Sequence, residues 1–455
     1  MSEADHAHQP RSAVPFWTVA VVLTLFLTGA SAPSPMYALY ASRWQFSPTT
    51  LTAVFAVYAI ALLAVLLTCG GLSDAVGRRP VLLAGIGIQA VAMGIFFAAD
   101  GVGWLFAARV VQGVATGLVT AAAAAALLDL QPRLSTIGPL VNALAPSVGL
   151  ALGAVGAGAL VQYAPAPLHL TYAVLVVLLL GSAVATAVLV PGATTRRPVS
   201  LRPRVSVPRA VRPAFWAALP VLVSTWGLGG FYLSLGPSLV LSLAGSSDRL
   251  LGGALPAVLC VSGAAACLVL NTRTPERMMQ AGTVMLLAGL LLSVASIAGG
   301  TATGLLASTF VSGAGFGSAC LGAFRSLVVR ADPARRGELL AAVFTAAYLS
   351  FSLPAIVGGL VATRVGLQPT AVGYAAVLSA NAFGLRAAPE DPPDRSKLNF
   401  SRVALARKVM EDHGDTNKAI WINEYGWNAS PPDMPEEKLI WGRVTEQQQA
   451  DYTLR

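Results

Sequence analysis

The sequence predicts an all-α polytopic membrane protein built as a 6+6 helix bundle, followed by a short soluble tail. Of the residues, 55% are hydrophobic and only 11% are charged, which is too apolar for a soluble chain of this length. Apolar runs also recur along the chain at the length needed to cross a bilayer. Finally, a segment rich in arginine and proline divides these runs into two equal sets.

The apolar runs give twelve candidate spans. A hydrocarbon core about 30 Å thick needs roughly 20 apolar residues in a helix. The first run is too long for a cleaved signal peptide, and the last is short and contains Asn381. The runs cover residues 15–40, 51–70, 81–99, 104–128, 137–161, 169–190, 214–243, 249–270, 279–298, 303–329, 338–362 and 367–385.

These spans define five regions of the chain. Residues 1–13 form an N-terminal tail, 14–190 the first six-helix half, 191–213 a linker, 214–385 the second half and 386–455 the soluble tail. The linker carries six arginines and no acid, so it is neither a span nor a packed domain. Two such halves are typical of transporters built from repeats, with a substrate site between them near the bilayer midplane. A generic polytopic protein is the alternative interpretation.

The arginines predict the orientation, because positive charge accumulates in cytoplasmic loops. This bias places the N-terminus in the cytoplasm and the protein in the cell (inner) membrane. It also explains the net charge of +9 without a nucleic-acid partner. With a cytoplasmic N-terminus, outside loops carry only Arg43, Arg249 and Arg364, whereas inside loops carry Arg11, Arg78, Arg79, Arg133, Arg196, Arg197, Arg202, Arg204, Arg209, Arg212, Arg273, Arg277, Arg330, Arg335 and Arg336.

The loop after the second span, `GGLSDAVGRRP`, supplies a sequence motif. A short connection between antiparallel helices needs glycine where backbones approach closely or turn through positive φ. The loop resembles the signature loop of the major facilitator superfamily, although Ala75 stands where the family often has a basic residue. Asp129, at the end of the fourth span, matches the acidic partner of that loop. The resemblance implies a cytoplasmic gate made by Asp74, Arg78 and Asp129. The matching positions are Gly70, Leu72, Asp74, Gly77, Arg78 and Arg79.

A second motif lies in the fourth span, where `RVVQG` matches the family pattern Arg-x-x-Gln-Gly. The match covers Arg109, Gln112 and Gly113. An arginine within a span costs about 2.5–3.5 kcal/mol on insertion scales, so it should face protein or water and serve a function. The resemblance associates Arg109 with proton coupling. The alternative is that Arg109 extends from a helix end to the outer interface.

The fifth span carries Gly149, Gly153 and Gly158 at the spacing of the family's antiporter motif. Small residues at this spacing let helices pack closely. Ala154 replaces the proline of that motif and Ala157 replaces a glycine, which weakens the implication of antiport. The resemblance covers residues 14 to about 380.

The spans contain no Asp, Glu or Lys at mid-membrane, so the substrate cavity should be aromatic and weakly polar. Such a cavity suits neutral or amphipathic solutes, such as drugs or sugars, and helix packing is the alternative role for each residue. The candidates are Tyr37, Tyr40, Gln112, Asn142, Trp226, Tyr232 and Tyr348.

The tail has a different composition, and it contains every lysine of the chain: Lys397, Lys408, Lys418 and Lys438. Around `AIWINEYGWN`, residues 397–455 resemble part of a (β/α)₈-barrel glycoside hydrolase, in which the residue matched by Glu424 is the nucleophile. A retaining glycosidase needs two carboxylates about 5–5.5 Å apart, and no second strand is present to carry one. We expect the tail to be catalytically inactive. We interpret its origin as a joining of two unrelated reading frames, with a real but degenerate fusion as the alternative.

The sequence therefore predicts a secondary transporter, not an enzyme. The family resemblance implies proton-coupled export of a small molecule by alternating access, with the bilayer as its other partner. We expect a monomer without cofactor or metal, because the four cysteines lie in apolar runs without metal-ligand spacing. A carbohydrate-active fusion is the competing hypothesis, and it rests on the tail alone.

Overall fold

The computed structural model describes residues 13–131, 137–192, 205–332 and 335–383. Within these ranges the chain forms helices joined by turns and contains no strand, which confirms the predicted all-α class. Eleven helices of the described part are long and apolar enough to cross a membrane. The tail with Glu424, most of the Arg-rich linker, Arg11 and Arg133 lie outside the described residues.

The first half follows the predicted spans closely, with two additional short helices. Its helices are α1 (Val14–Ser31), α2 (Tyr37–Trp44), α3 (Pro48–Cys69), α4 (Leu72–Val76), α5 (Arg78–Phe97), α6 (Val102–Leu130), α7 (Ile137–Tyr163) and α8 (Leu170–Leu189).

The second half repeats this arrangement. Its helices are α9 (Arg212–Ser234), α10 (Gly236–Ala244), α11 (Arg249–Leu270), α12 (Pro275–Ala298), α13 (Ala302–Arg330), α14 (Arg336–Val365) and α15 (Leu367–Phe383). Below, the side of the bundle where α3 ends and α5 begins is called the signature-loop side, and the other end is called the opposite side.

The first predicted span, 15–40, is not one continuous helix. It breaks between α1 and α2, where Pro33 precedes a single 3₁₀ turn and Pro35 lies within it. Proline has no N–H, so these two residues cannot donate to the carbonyls four residues earlier, those of Gly29 and Ser31. The seventh span breaks similarly at Leu235, between α9 and α10, just before Pro237. Both breaks lie in corresponding spans of the two halves.

Some helix ends follow ordinary capping chemistry. The Ser47 hydroxyl accepts the N–H of Thr50 at 3.2 Å and begins α3. Asp248 begins α11 in the same way, accepting the N–H of Leu250 at 2.9 Å. Gly245 ends α10 with φ +56°, in the left-handed region that glycine tolerates best. These caps set the start of α3, the end of α10 and the start of α11.

The twelfth span is short but well anchored. α15 has 17 residues, about 26 Å at 1.5 Å per residue, and is not among the eleven helices above. Asn381 is the polar residue that interrupts the apolar run of this span. Its amide donates to the carbonyl of Pro220 and the hydroxyl of Ser224 on α9, each at 2.9 Å. Packing against α9 thus satisfies the polar group that a lipid-facing helix could not carry.

Candidate transport pathway and coupling site

The guanidinium of Arg109 lies inside the first half, fully buried. Its Nε donates to the Tyr37 hydroxyl at 2.7 Å, and Nη2 donates to the same oxygen. Nη1 donates to the Ala30 carbonyl at 2.9 Å and to Oε1 of Gln112 at 2.6 Å. The side chain therefore binds protein groups and does not extend to the membrane interface, which rules out the snorkelling alternative in this conformation.

Arg109 and Gln112 together hold the broken end of α1. Because Pro33 has no N–H, the Gly29 carbonyl lacks its helical donor, and Nε2 of Gln112 donates to it at 2.9 Å. Arg109 serves the next carbonyl, that of Ala30. Gln112 thus replaces the backbone donor that Pro33 removes, and Arg109 bonds the neighbouring carbonyl at the break between α1 and α2.

Aromatic rings surround the buried charge. The central carbon of the Arg109 guanidinium lies 5.3–5.8 Å from four ring centroids, within the range of cation–π attraction. All the hydrogen-bond acceptors described for it are neutral. The positive charge is therefore stabilised by rings and oxygen dipoles, without a carboxylate among the described contacts. The rings belong to Tyr37, Phe55, Tyr58 and Phe96.

The predicted charge cluster forms on the signature-loop side. Arg78 bonds the carboxylates of Asp74 and Asp129, with 3.0 Å between its Nε and Oδ2 of Asp129. Its Nη1 also donates to the Ser73 hydroxyl at 2.6 Å. Below, these four residues are called the Arg78 cluster. Gly77 precedes Arg78 at φ +105°, a conformation that L side chains rarely adopt, which explains the glycine of this motif.

Helix dipoles oppose the Arg78–Asp129 pair and favour its counterpart in the second half. Arg78 is the first residue of α5 and Asp129 lies at the end of α6, so each charge sits where the dipole disfavours it. In the second half Glu276 lies in the first turn of α12 and Arg330 ends α13, 2.9 Å apart, with both charges favoured by the dipoles. The dipoles therefore disfavour the first pair and favour the second.

The three glycines of α7 contact two different helices. A Cβ added to Gly149 or Gly153 would lie 2.3 Å from the Thr24 carbonyl or 2.1 Å from the Thr28 carbonyl of α1. A Cβ on Gly158 would instead lie 2.9 Å from the carbonyl of Arg249, in the second half. The glycine motif therefore packs its own half together and also brings the two halves into contact.

The two halves are sealed on the opposite side. Gly253 of α11 packs so closely on α7 that an added Cβ would lie 2.2 Å from the Ala154 carbonyl. Between α3 and α14, the Thr49 hydroxyl lies 3.2 Å from the Gly359 carbonyl and 2.9 Å from the Thr363 hydroxyl. Deeper in the bundle the ring centroids of Phe55 and Phe351 are 5.1 Å apart, which continues the seal.

Toward the signature-loop side the inter-half surface is exposed. In α3 every buried side chain lies between Leu51 and Leu63, and none of residues 64–69 is buried. Trp226, Tyr348 and Asn142 are partly exposed, and Trp226 and Tyr348 make an edge contact at 4.9 Å between centroids. The gap between the halves therefore opens on this side and is lined by aromatic residues at its inner end.

The other cavity candidates lie within one half each. Tyr37 binds Arg109, and the Tyr40 hydroxyl donates to that of Tyr172 at 3.1 Å. The Tyr232 hydroxyl accepts from Thr309 at 3.2 Å, buried between α9 and α13. The structure thus brings Tyr37 and Gln112 together around Arg109, and places Tyr232 elsewhere.

Sequence reasoning missed Tyr172 and Gln89. The ring of Tyr172 stacks on Phe96 at 4.9 Å beside the Arg109 site, and Gln89 is fully buried in α5. Gln89 could have been found, because a polar side chain in the middle of an apolar run is a functional candidate by default. Tyr172 gives no such signal, since tyrosine is common in spans.

Two six-helix halves with broken first and seventh spans, a buried arginine and a gap open on one side define a multi-pass membrane transporter. The sequence model of the Major Facilitator Superfamily matches residues 19–281, more than half of the chain. The chain therefore belongs to the Major Facilitator Superfamily. A comparison with curated proteins gives no match.

Solved structures share the fold at low sequence identity. A bacterial homologue of the human lysosomal transporter Spinster, inward-facing and unoccupied, aligns with a TM-score of 0.69 and 13% identity, over 83% of this chain and 96% of that one. A variant of the nucleoside transporter NupG aligns with a TM-score of 0.62 and 14% identity, over 82% and 100%. The human organic anion transporter MFSD10 gives 0.61 and 17%, over 83% and 100%. None of these matches supports the glycosidase resemblance of the tail.

Proposed function

We propose that this protein is a secondary active transporter that exports small neutral or amphipathic solutes, drugs or sugars, by alternating access coupled to protons. In this proposal the signature-loop side is cytoplasmic and the described conformation is open to the cytoplasm. The observation that carries it is the asymmetry between the two sides. Contacts of α3 with α14 and of α7 with α11 seal the opposite side, while the inner-end aromatic residues stay partly exposed.

Alternating access requires that these seals be reversible, and their chemistry fits that requirement. The seal between α7 and α11 combines glycine packed against backbone with the small side chains of Ala151, Ala257 and Cys260. The seal between α3 and α14 adds hydroxyl contacts of Thr49 and one aromatic pair. Rocking of one half against the other would open the opposite side. It would also bring the ends of the same four helices on the signature-loop side together.

Gating is proposed to act through the Arg78 cluster. Its two carboxylates are about half exposed, at 53% for Asp74 and 59% for Asp129, so water competes with Arg78 for both of them. Separation of Arg78 from these carboxylates would free the connection between α5 and α6. Surface ion pairs of this kind contribute only about 0–1 kcal/mol, so the cluster suits a switch better than a stabilising clamp.

Arg109 is proposed to couple the first span to this cycle. Its charge is fixed, since a guanidinium is not deprotonated in proteins. Any rotation of α1 must therefore carry the Ala30 carbonyl with Arg109 or break their hydrogen bond. Because Arg109 and the Arg78 cluster both involve α6, a change at Asp129 can reach the broken span through one rigid helix.

The substrate class follows from the lining of the gap. Trp226 and Tyr348 are in contact and offer two aromatic faces, and we infer that the partly exposed Asn142 adds one amide. Ring faces bind apolar and weakly polar surfaces, and the amide orients one hydrogen-bonding group. Such a lining favours neutral or amphipathic molecules with a ring or sugar.

The experiment is transport by the purified protein in proteoliposomes that carry a pH-sensitive dye in the lumen. A panel of neutral, amphipathic and anionic solutes would be added under an imposed proton gradient. We expect proton movement with at least one neutral or amphipathic solute, and its loss in the Trp226→Ala variant. Solute movement without any proton flux would contradict the coupling, and movement of anions alone would contradict the substrate class.

A further inference from the structure

Gln89 is a buried amide without a partner. It lies in the middle of α5 with no exposed surface, and neither its Nε2 nor its Oε1 has a hydrogen-bond partner. Leaving a buried polar group unpaired is unfavourable, and most buried polar groups in proteins are paired. A leucine or methionine would fill the same space without that cost. The amide therefore calls for a reason beyond packing.

The position of this amide supplies the reason. A Cβ placed on Gly29 would lie 2.8 Å from Nε2 of Gln89 and 3.7 Å from Nε2 of Gln112. Two side-chain amides, one from α5 and one from α6, thus meet the same residue at the broken end of α1. Gln112 is bonded there, to the Gly29 carbonyl, whereas Gln89 is not.

The Gly29 carbonyl lacks its helical donor in every conformation of the protein, because Pro33 has no N–H. In the described conformation a neighbouring helix supplies the donor instead. Gln112 is also tied to Arg109, which donates to its Oε1 at 2.6 Å. A displacement of α1 relative to α6 that breaks the bond between Gln112 and the Gly29 carbonyl leaves this carbonyl without a donor, unless another side chain can donate to it.

We propose that Gln89 and Gln112 are alternating donors to the Gly29 carbonyl. In the described conformation, in which the opposite side is sealed, Gln112 donates to this carbonyl. In the conformation that is open on the opposite side, Gln89 donates to it. Gln89 is then a positioning residue that stabilises the second state of the cycle. This inference rests on the proposed alternating-access function, but it requires neither a known substrate nor a known coupling ion.

The test measures the balance between the two states directly. Thr52 is fully buried in the seal between α3 and α14, where a Cβ on Gly359 would lie 2.1 Å from its hydroxyl. Thr52→Cys is introduced into the full-length chain, which is purified in lipid nanodiscs. Maleimide modification at position 52 is then followed by peptide mass spectrometry. It reports only opening of that seal, and it does not depend on orientation in the disc.

The expected signature is a pair of opposite changes. Gln89→Leu removes the donor of the open state and should lower the labelling rate at position 52 about fivefold, the equivalent of one net hydrogen bond of about 1 kcal/mol. It should also raise the unfolding temperature, because an unpaired buried amide is replaced by an apolar group. Gln112→Leu removes the donor of the described state and should raise the labelling rate.

The control is Met93→Leu, an apolar exchange at a fully buried site one turn further along α5. It should leave labelling at position 52 unchanged, and Gln89→Met provides a second apolar replacement should Gln89→Leu fold poorly. Unchanged or faster labelling in both Gln89 variants would overturn the inference. A lowered unfolding temperature with normal labelling would also overturn it, because that result would show that Gln89 stabilises the fold through a hydrogen bond to an internal water. A parent chain that never labels at position 52 would contradict the two-state cycle itself, and the inference with it.

Discussion

Nε of Arg78 lies 3.0 Å from Oδ2 of Asp129, although each residue occupies the helix end whose dipole disfavours its charge. The comparable pair in the second half, Glu276 and Arg330, has the reverse polarity and is favoured by both dipoles. An ion pair that the helices favour tends to stay closed, and one that they oppose opens at lower cost. We therefore propose that the moving switch lies in the first half.

The first prediction concerns this switch. Asp74→Asn should slow transport roughly tenfold or more, within the range of allosteric coupling energies, while the amount of protein in the membrane stays near normal. The physical reason is that the variant removes one carboxylate from Arg78 without changing packing. Initial uptake rates in proteoliposomes, normalised to protein, measure the effect.

Glu276→Gln is the matched control for that experiment. It removes an exposed carboxylate from an ion pair of similar length on the same side of the bundle. We expect at most a twofold change in rate, because exposed pairs contribute about 0–1 kcal/mol and this pair is not expected to open. An equal loss of transport rate in the Asp74 and Glu276 variants would contradict the hypothesis that the switch lies in the first half.

The second prediction concerns Arg109. Arg109→Ala should impair proton-driven transport more than passive exchange of solute, because it removes the charge that holds the broken end of α1. Arg109→Lys keeps the charge but loses the fork that bonds Tyr37, Ala30 and Gln112 together, so it should rescue little. Both rates are measured in the same vesicles, with and without a pH gradient. An equal loss of both rates would indicate a packing role.

The third prediction concerns the glycines of α7. Gly153→Ala should destabilise the protein by about 1–3 kcal/mol, since its Cβ would lie 2.1 Å from the Thr28 carbonyl. Gly156→Ala is the matched control on the same helix, because nothing lies within 4 Å of its added Cβ. It should be neutral or stabilising by up to about 1 kcal/mol, as alanine favours helix. Thermal unfolding in detergent separates the two variants, and similar behaviour would contradict the described α1–α7 packing.

The fourth prediction concerns topology. Cysteines placed in the linker 191–213 should be unreactive to an impermeant maleimide added to intact cells, and reactive after the membrane is opened. The reason is the density of arginine in that segment, which favours the cytoplasm. Cysteine at Ser246, in the connection between α10 and α11, is the control that should react from outside. The reverse pattern would invert the proposed orientation.

The fifth prediction concerns the tail. Deletion of residues 387–455 should leave transport intact, and neither the full chain nor the truncated one should hydrolyse aryl glycosides. A single candidate carboxylate, Glu424, cannot provide the two that a retaining glycosidase needs. Hydrolysis by the full chain that disappears in Glu424→Gln would show that this view of the tail is wrong.

The motifs were predictable from the sequence because they depend on local chemistry. The positive φ at Gly77, for example, requires glycine wherever this turn occurs, and the arginine of the loop follows it directly in the chain. The spans were predictable for a similar reason, since bilayer thickness fixes their length. The break in the first span was missed, although Pro33 and Pro35 mark it. Hydropathy is averaged over a window of many residues, so two prolines hardly change its value.

The sequence by itself determined that this chain crosses a membrane many times in two halves, since apolar length and loop charge are properties of short segments. Only the tertiary structure decided what Arg109 binds and which side of the bundle is sealed. Both depend on residues far apart in the chain: the carbonyl of Ala30 with Arg109, and Gly253 with Ala154. No local pattern encodes such pairs, because they form only when separate helices pack at a particular depth and rotation.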